Sequence, residues 1–260
     1  MTGATYSAVM VELSKALQAR AQDSVSQLKS ALKEFKNVCY ANSLGPESMV
    51  LTDLIWGSVS GTQPGAVSET SAVSEIEIFS VDTGRLYPET YDLIERVQKR
   101  YGRALRIYYP EASDLEGWVG ANGINGFRDG IEQRHGCCTI RKVEPFRRAV
   151  SGRGAWVTGI RRGQSASRAM TAPVAWDGEY GLHKVSPLLE WTENEIWEYI
   201  RKKRLPYNPL HDQGFPSIGC APCTRAVLPG DDQRSGRWWW ERGESRECGL
   251  HPRGQVEFSK

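Results

Sequence analysis

The 260-residue sequence predicts an α/β protein: a mostly parallel, Rossmann-like sheet with helices on both faces, followed by a mobile C-terminal tail. Three observations carry that reading. Strand-like runs alternate with segments of helical apolar spacing, the pattern of a parallel sheet crossed over by helices. Polar, glycine-bearing loops follow three of the strands, where open α/β sheets hold their ligands. Hydrophobic residues make up 40% of the chain and charged residues 25%, enough for a sizeable core.

Apolar positions at Val9, Leu13, Ala16 and Leu17, then Val25, Leu28, Leu32 and Phe35, predict one or two helices over 8–36. A strand follows over 38–42, then the loop S-L-G-P-E-S at 43–48, then an apolar helix over 49–56. In such a unit the helix N-terminus presents free N–H groups to an anion, although a single glycine is a weak signal. The small, polar stretch 58–74 reads as a loop without chemistry. A second strand over 75–81 ends in Asp82-Thr83-Gly84, and Pro88 opens a helix to about 101. A third strand spans 104–109, with helical stretches over 114–122 and 127–150. The fourth strand, 155–158, ends in Gly159-Ile160-Arg161-Arg162. A further strand fits 183–188, and Thr192 caps a helix to about 203. Beyond Thr224 the composition changes to P-G-D-D-Q-R-S-G-R, then Trp238-Trp239-Trp240. Residues 1–224 therefore read as the α/β domain and 225–260 as a C-terminal segment, rich in glycine and charge, that can move. Its tryptophans read as packing anchors.

Mean hydropathy is −0.48, and no apolar run approaches the roughly 20 residues of a membrane helix. The N-terminal residues lack the basic and apolar regions of a secretory signal, so a cytoplasmic protein is expected. A net charge of only +2 argues against a nucleic-acid binder by composition. Residues 141–168 nevertheless hold eight basic residues and one acid, Glu144. Part of that excess fits a solvated helix face. It fits a small, highly charged anion at least as well.

The chemistry is concentrated in six cysteines. Cys137 and Cys138 are adjacent, and Cys220 and Cys223 form C-A-P-C. Two close pairs of thiolates suffice for a metal site or an iron–sulfur cluster. The C-x-x-C turn occurs in zinc, cluster and redox sites alike. Adjacent cysteines strain to reach one zinc ion, whereas a four-iron cluster offers each sulfur its own iron, so the pair favours a [4Fe-4S] cluster. Six cysteines in a chain of this length do not make a disulfide scaffold. Cys39, in N-V-C-Y-A-N-S, reads as a core thiol. Cys248, in E-C-G-L-H, is left over, and a spare thiol beside such a site is a candidate nucleophile.

Together these motifs resemble the cluster-containing branch of the phosphosulfate reductases, the assimilatory adenylylsulfate (APS) reductases. The resemblance rests on Cys137-Cys138, Cys220-x-x-Cys223 and the terminal E-C-G-L-H. It extends to S-L-G-P-E-S at 43–48, V-D-T-G-R-L-Y-P-E-T-Y at 81–91, T-G-I-R-R-G-Q-S at 158–165 and G-R-W-W-W-E at 236–241. It covers nearly the whole chain. The 58–74 loop is longer than the family pattern. The resemblance implies an adenine nucleotide alpha hydrolase-like fold and a [4Fe-4S] cluster on Cys137, Cys138, Cys220 and Cys223. It implies that Cys248 attacks the sulfur of APS, AMP leaves, and thioredoxin or a similar dithiol releases sulfite from the S-sulfocysteine. It gives substrate binding to Ser43 of the modified pyrophosphate loop and to Lys142, Arg168, Arg234 and Arg237. Lys142 would stand one helical turn after Cys138, linking cluster and substrate. Asp82 and Gly84 would lie near the adenosine. His251 would neighbour Cys248, with a surface role as an equal reading. No nucleic-acid or membrane partner is implied, and a homo-oligomer stays open. The rival readings are the same chemistry on the 3′-phosphorylated substrate PAPS, a cluster-bearing tRNA-thiolating enzyme, and a zinc-stabilised nucleotide-binding module.

Overall fold

The computed structural model describes residues 13–57, 73–164, 168 and 170–241. Six strands form one sheet: β1 (Cys39–Ala41), β2 (Glu77–Val81), β3 (Arg106–Tyr108), β4 (Ala155–Val157), β5 (Val174–Asp177) and β6 (Leu182–Val185). Their spatial order is β3-β2-β1-β4-β6-β5, parallel except for β5, which pairs antiparallel with β6 at the edge. The order reverses between β1 and β4, and a crevice opens at their carboxyl ends.

Strand residues alternate between two buried faces. Tyr40, Ile78, Val157 and Val185 pack with helices α1 (Lys15–Glu34), α2 (Pro46–Trp56), α3 (Pro88–Tyr101) and α7 (Glu193–Lys203). Cys39, Phe79 and Trp156 face the other way, against Phe146, Ala149 and Val150 of α6 (Glu144–Val150). Helices α4 (Ala112–Asn122) and α5 (Ile131–Cys138) complete the chain order between β3 and α6.

The helix boundaries have local causes. Ser14 accepts from Leu17 N–H at 3.2 Å to start α1. Pro88 opens α3, and Gly102 ends it at φ 63°, the left-handed conformation favoured at helix ends. Thr192 and Glu195 form a reciprocal capping box on α7. Cys39 is fully buried, as a core thiol should be, and burial pushes its pKa up to about 12.

Two features depart from the expected pattern. The antiparallel edge strand β5 stands where no strand was expected: V-A-W-D is only four residues, bounded by Pro173 and Gly178. The helix expected over 127–150 is broken. A 3₁₀ turn at Gly126–Arg128 and α5 precede a π turn at Thr139–Val143, which runs into α6. Residues 225–241, the described part of the expected tail, are tied to the body. Val227 N–H donates to Gly214 C=O at 2.8 Å, and Trp238 N–H donates to Cys223 C=O at 3.1 Å. Trp238 is 1% exposed, an anchor as its sequence implied. The 58–74 loop falls mostly outside the described residues.

Candidate active site

The crevice is a cleft of about 970 Å³. Its floor begins with the loop after β1. Asn42 Oδ1 accepts from Leu44 N–H at 2.7 Å, closing a turn that holds Leu44 at φ 61°. A leucine in that left-handed region is strained, and such strain concentrates at functional sites. Ser43 lies 3.0 Å from Ser48 through their hydroxyls, and its N–H donates to Ser48 Oγ at 3.1 Å. Pro46 occupies the first turn of α2, so the helix N-terminus faces the cleft beside Ser43.

The loop after β4 locks onto this one. Arg161, 7% exposed in its side chain, pairs with Glu47 at 2.7 Å, and Gln164 donates to the same carboxylate at 3.0 Å. Arg168 in turn donates to Gln164. Arg168 is thus brought to the cleft by a chain of contacts that starts at the loop after β1.

The four expected cluster cysteines come together. Cys137 and Cys138, at the end of α5, share one apolar cluster with Cys220 and Cys223, and with Phe127, Trp238, Trp118 and Trp240. None of the four is paired in a disulfide. Burial raises the Cys137 thiol, and Arg141 pulls it partly back. Burial pushes Cys223 up to about 12, and the thiolates of Cys220, Cys138 and Cys137 would push the same way. Among the described residues no three His, Cys, Asp or Glu side chains converge tightly enough to hold a single metal ion. The donor set is four soft thiols in an apolar wall, spread over two segments, which suits a polynuclear cluster better than one small ion.

Two contacts around the thiols had no assignment from the sequence. Thr83 Oγ1 lies 3.2 Å from Cys220 Sγ, and its carbonyl accepts from Arg141 Nη1 at 2.7 Å. Arg141 is 8% exposed, and its charge favours the Cys137 thiolate. Its signal was its place four residues after Cys137 within the basic run. The expected neighbours of the adenosine fare differently. Asp82 is buried and accepts from Gly84 N–H at 2.7 Å and Tyr91 O–H at 3.0 Å. It shapes the turn, while Thr83 and Arg85 line the cleft.

Lys142 lines the cleft beside Cys138, within a π turn rather than the α-turn expected there. Single π turns inside α-helices recur at functional sites. Arg234 and Arg237 also line the cleft. Arg237 stacks over Trp238 at 4.7 Å and packs against Gly219, where any side chain would collide with the guanidinium. Other members of the basic run are spent on surface pairs, Arg147 with Glu144, Arg148 with Glu111 and Arg162 with Glu190. Cys248 and His251 lie outside the described residues.

No helix among the described residues is long and apolar enough to cross a membrane. Residues 37–226 match the phosphoadenosine phosphosulfate reductase domain family. An adenosine 5′-phosphosulfate reductase of Allochromatium vinosum is 45% identical over 91% of this chain and 87% of its own length. One from Neisseria meningitidis is 41% identical over 91% of each. A phosphoadenylyl-sulfate reductase of Candida auris, solved as a phosphate complex, superposes with a TM-score of 0.62 at 25% identity, over 84% of this chain and 99% of that one. A Candida glabrata FMN adenylyltransferase shares the fold alone, with a TM-score of 0.52 at 17% identity. The chain belongs to the phosphoadenosine phosphosulfate reductase domain family, with adenosine 5′-phosphosulfate reductases among its similar relatives.

Proposed function

We propose that this protein reduces adenosine 5′-phosphosulfate to sulfite and AMP, using thioredoxin or a similar dithiol as reductant in the cytoplasm. One observation carries the reading: four cysteines from two distant segments share one cleft with Lys142, Arg168, Arg234, Arg237 and the Ser43 loop.

Cys137, Cys138, Cys220 and Cys223 would hold a [4Fe-4S] cluster. When bound, it would supply local charge and a rigid joint between α5 and the C-A-P-C turn. The protein's own groups do the rest. The guanidinium forks of Arg168, Arg234 and Arg237, with Lys142, would neutralise the phosphosulfate, which otherwise repels a thiolate. The N-terminus of α2 and Ser43 would receive the nucleotide end.

In this reading 1–224 form the body of the nucleotide site, and the C-terminal segment 225–260 adds Arg234 and Arg237 to it and brings Cys248 to the substrate. The Cys248 thiolate attacks the sulfonate sulfur. An S–S bond forms, the S–O bond to phosphate breaks, and AMP leaves with the electron pair. A dithiol thiolate then attacks Cys248 Sγ, and sulfite departs with that bond's electrons. The dithiol's second thiol resolves the mixed disulfide and restores the Cys248 thiolate. Two electrons pass from dithiol to sulfur, and two protons are released.

The test uses anaerobically purified protein. Iron should be present without stoichiometric zinc. APS should turn over far faster than PAPS with thioredoxin. APS alone should leave a sulfonate on Cys248, removable by thioredoxin, and Cys248→Ser should keep the iron yet lose turnover. Zinc without iron would overturn the cluster. Equal turnover of PAPS would overturn the substrate. Thioredoxin-dependent activity in Cys248→Ser would overturn the nucleophile.

A further inference from the structure

Glu241, seven residues before Cys248, is held by several contacts. Arg134, one helical turn before Cys137 and Cys138 on α5, is 1% exposed. Its Nε pairs with Glu241 Oε1 at 2.5 Å, and Glu241 is itself 9% exposed in its side chain. The Arg134 guanidinium also lies 4.5 Å from the ring of Trp238, which carries Arg237 at 4.7 Å as well. Trp238 sits at φ 44°, a conformation a bulky side chain adopts only under constraint. Two hydrogen bonds supply part of that constraint: Trp238 N–H to Cys223 C=O at 3.1 Å, and Glu241 N–H to Trp238 C=O at 3.0 Å.

A buried charge pair is an expensive way to gain stability, since similar apolar residues often do as well. What it provides here is a fixed place. We propose that Arg134 and Glu241, with Trp238 between them, form an anchor that fixes the root of the segment bearing Cys248 against the cysteine helix, so that Arg134 and Glu241 are positioning residues for the sulfur-transfer step. This rests on the reading of Cys248 as nucleophile given above.

The consequence is a tether of defined length. Cys248 follows Glu241 by seven residues, so it lies within about 25 Å of the anchor even when fully extended. The local concentration of a tethered group falls roughly as the −3/2 power of the tether's length. Without the anchor, the next ties back along the chain are Arg237 and Thr224, which pair in an isolated bridge. The tether then grows from seven residues to 11 or 24, counted to Cys248. The rate of Cys248 sulfonation should fall about two- to sixfold.

The experiment measures single-turnover adduct formation on Cys248 by intact-mass spectrometry, in the full-length protein, for Glu241→Gln, Arg134→Gln and the double variant. The double variant removes both charges, so it leaves no uncompensated ion in the core. A second series inserts seven Gly/Ser residues between Glu241 and Cys248. The insertion should slow wild type about threefold, but the anchor variants only about 1.5- to twofold, because their tether is already long. APS affinity, measured with Cys248→Ser in each background, and iron content should not change. Equal insertion penalties in wild type and anchor variants, or wild-type sulfonation rates in the variants, would overturn the anchor. Hydrogen exchange of the Trp238 and Glu241 amides gives a readout independent of activity. Both should exchange faster in the variants, and unchanged protection would also overturn the proposal. If wild type forms no adduct on Cys248 at all, the nucleophile reading fails, and the exchange data alone decide the anchor.

Discussion

Gly219 offers a way to move Arg237 without mutating it. The residue precedes Cys220, and its own backbone conformation would accept alanine. A Cβ there would stand 2.6 Å from Arg237 Cζ and 2.9 Å from Nη1, well inside ordinary contact. The obstacle is the end of a flexible side chain, so the guanidinium swings away and the fold survives. Arg237 would leave its stack on Trp238 and its contact with Ser217 Oγ at 3.5 Å. The stability cost should be about 1 kcal/mol, the scale of a partly buried cation–π contact. The catalytic cost should be larger. A charge-assisted hydrogen bond to the phosphosulfate is worth about 1.5–3 kcal/mol, so kcat/KM for APS should fall about ten- to a hundredfold in Gly219→Ala. Arg237→Ala should fall by a similar factor, and the double variant should be no worse than the worse single one. Iron content must match wild type, since Cys220 is adjacent. Fully additive losses, or a Gly219→Ala enzyme with wild-type kcat/KM, would refute the reasoning.

Three further outcomes follow from particular contacts. Arg141→Met should leave the buried Thr83 carbonyl without its donor and cost about 1–3 kcal/mol in urea denaturation, with faster loss of iron to a chelator. Thr192→Ala should cost about 1 kcal/mol in urea denaturation by removing the capping box of α7. Burial holds the folded His211 imidazole below its usual 6.5, so the unfolded chain takes up the proton first as pH falls. Stability should therefore drop as pH falls through 6.5 and level off below the folded pKa, and His211→Gln should flatten that part of the urea-midpoint profile.

Parts of this were legible in the sequence for local reasons. Pro88 and Thr192 mark helix starts through chemistry confined to a single turn, and the structure uses both as expected. The strands β1, β2 and β4 announced themselves because both faces are buried. Strand β5 did not, because Val174 and Trp176 are exposed and its pairing depends wholly on β6. The cysteine pairs stood out in the sequence because two thiols so close together are rare, and the structure brings the two pairs into one apolar cluster. Arg141 and Thr83 escaped for the opposite reason. Nothing local distinguishes an arginine that reaches a thiol from Arg147 or Arg148, which form surface pairs. The difference lies in which face of α5 and its π turn meets the loop after β2, and that is decided by tertiary packing.

The π turn shows how closely the two levels are joined. Glu144 N–H reaches back to Thr139 C=O, a five-residue step, in the stretch that carries Arg141 and Lys142. An uninterrupted α-helix would rotate everything after Cys138 about the axis, by roughly the 100° of one residue. Phe146, Ala149 and Val150 would then leave the face they share with Phe79 and Trp156. The extra residue in the turn lets α5 present Cys137 and Cys138 to the cleft while α6 keeps its apolar side on the sheet. Deleting one residue from 139–143 should force a choice between those two contacts. Because the α6 face buries Phe146, Ala149 and Val150 in the core beneath the sheet, packing should win, and the thiols should be displaced. The deletion variant should fold with near-native far-ultraviolet circular dichroism yet fail to retain iron. A deletion variant with full iron content and wild-type stability would show that the π turn has no part in setting the register.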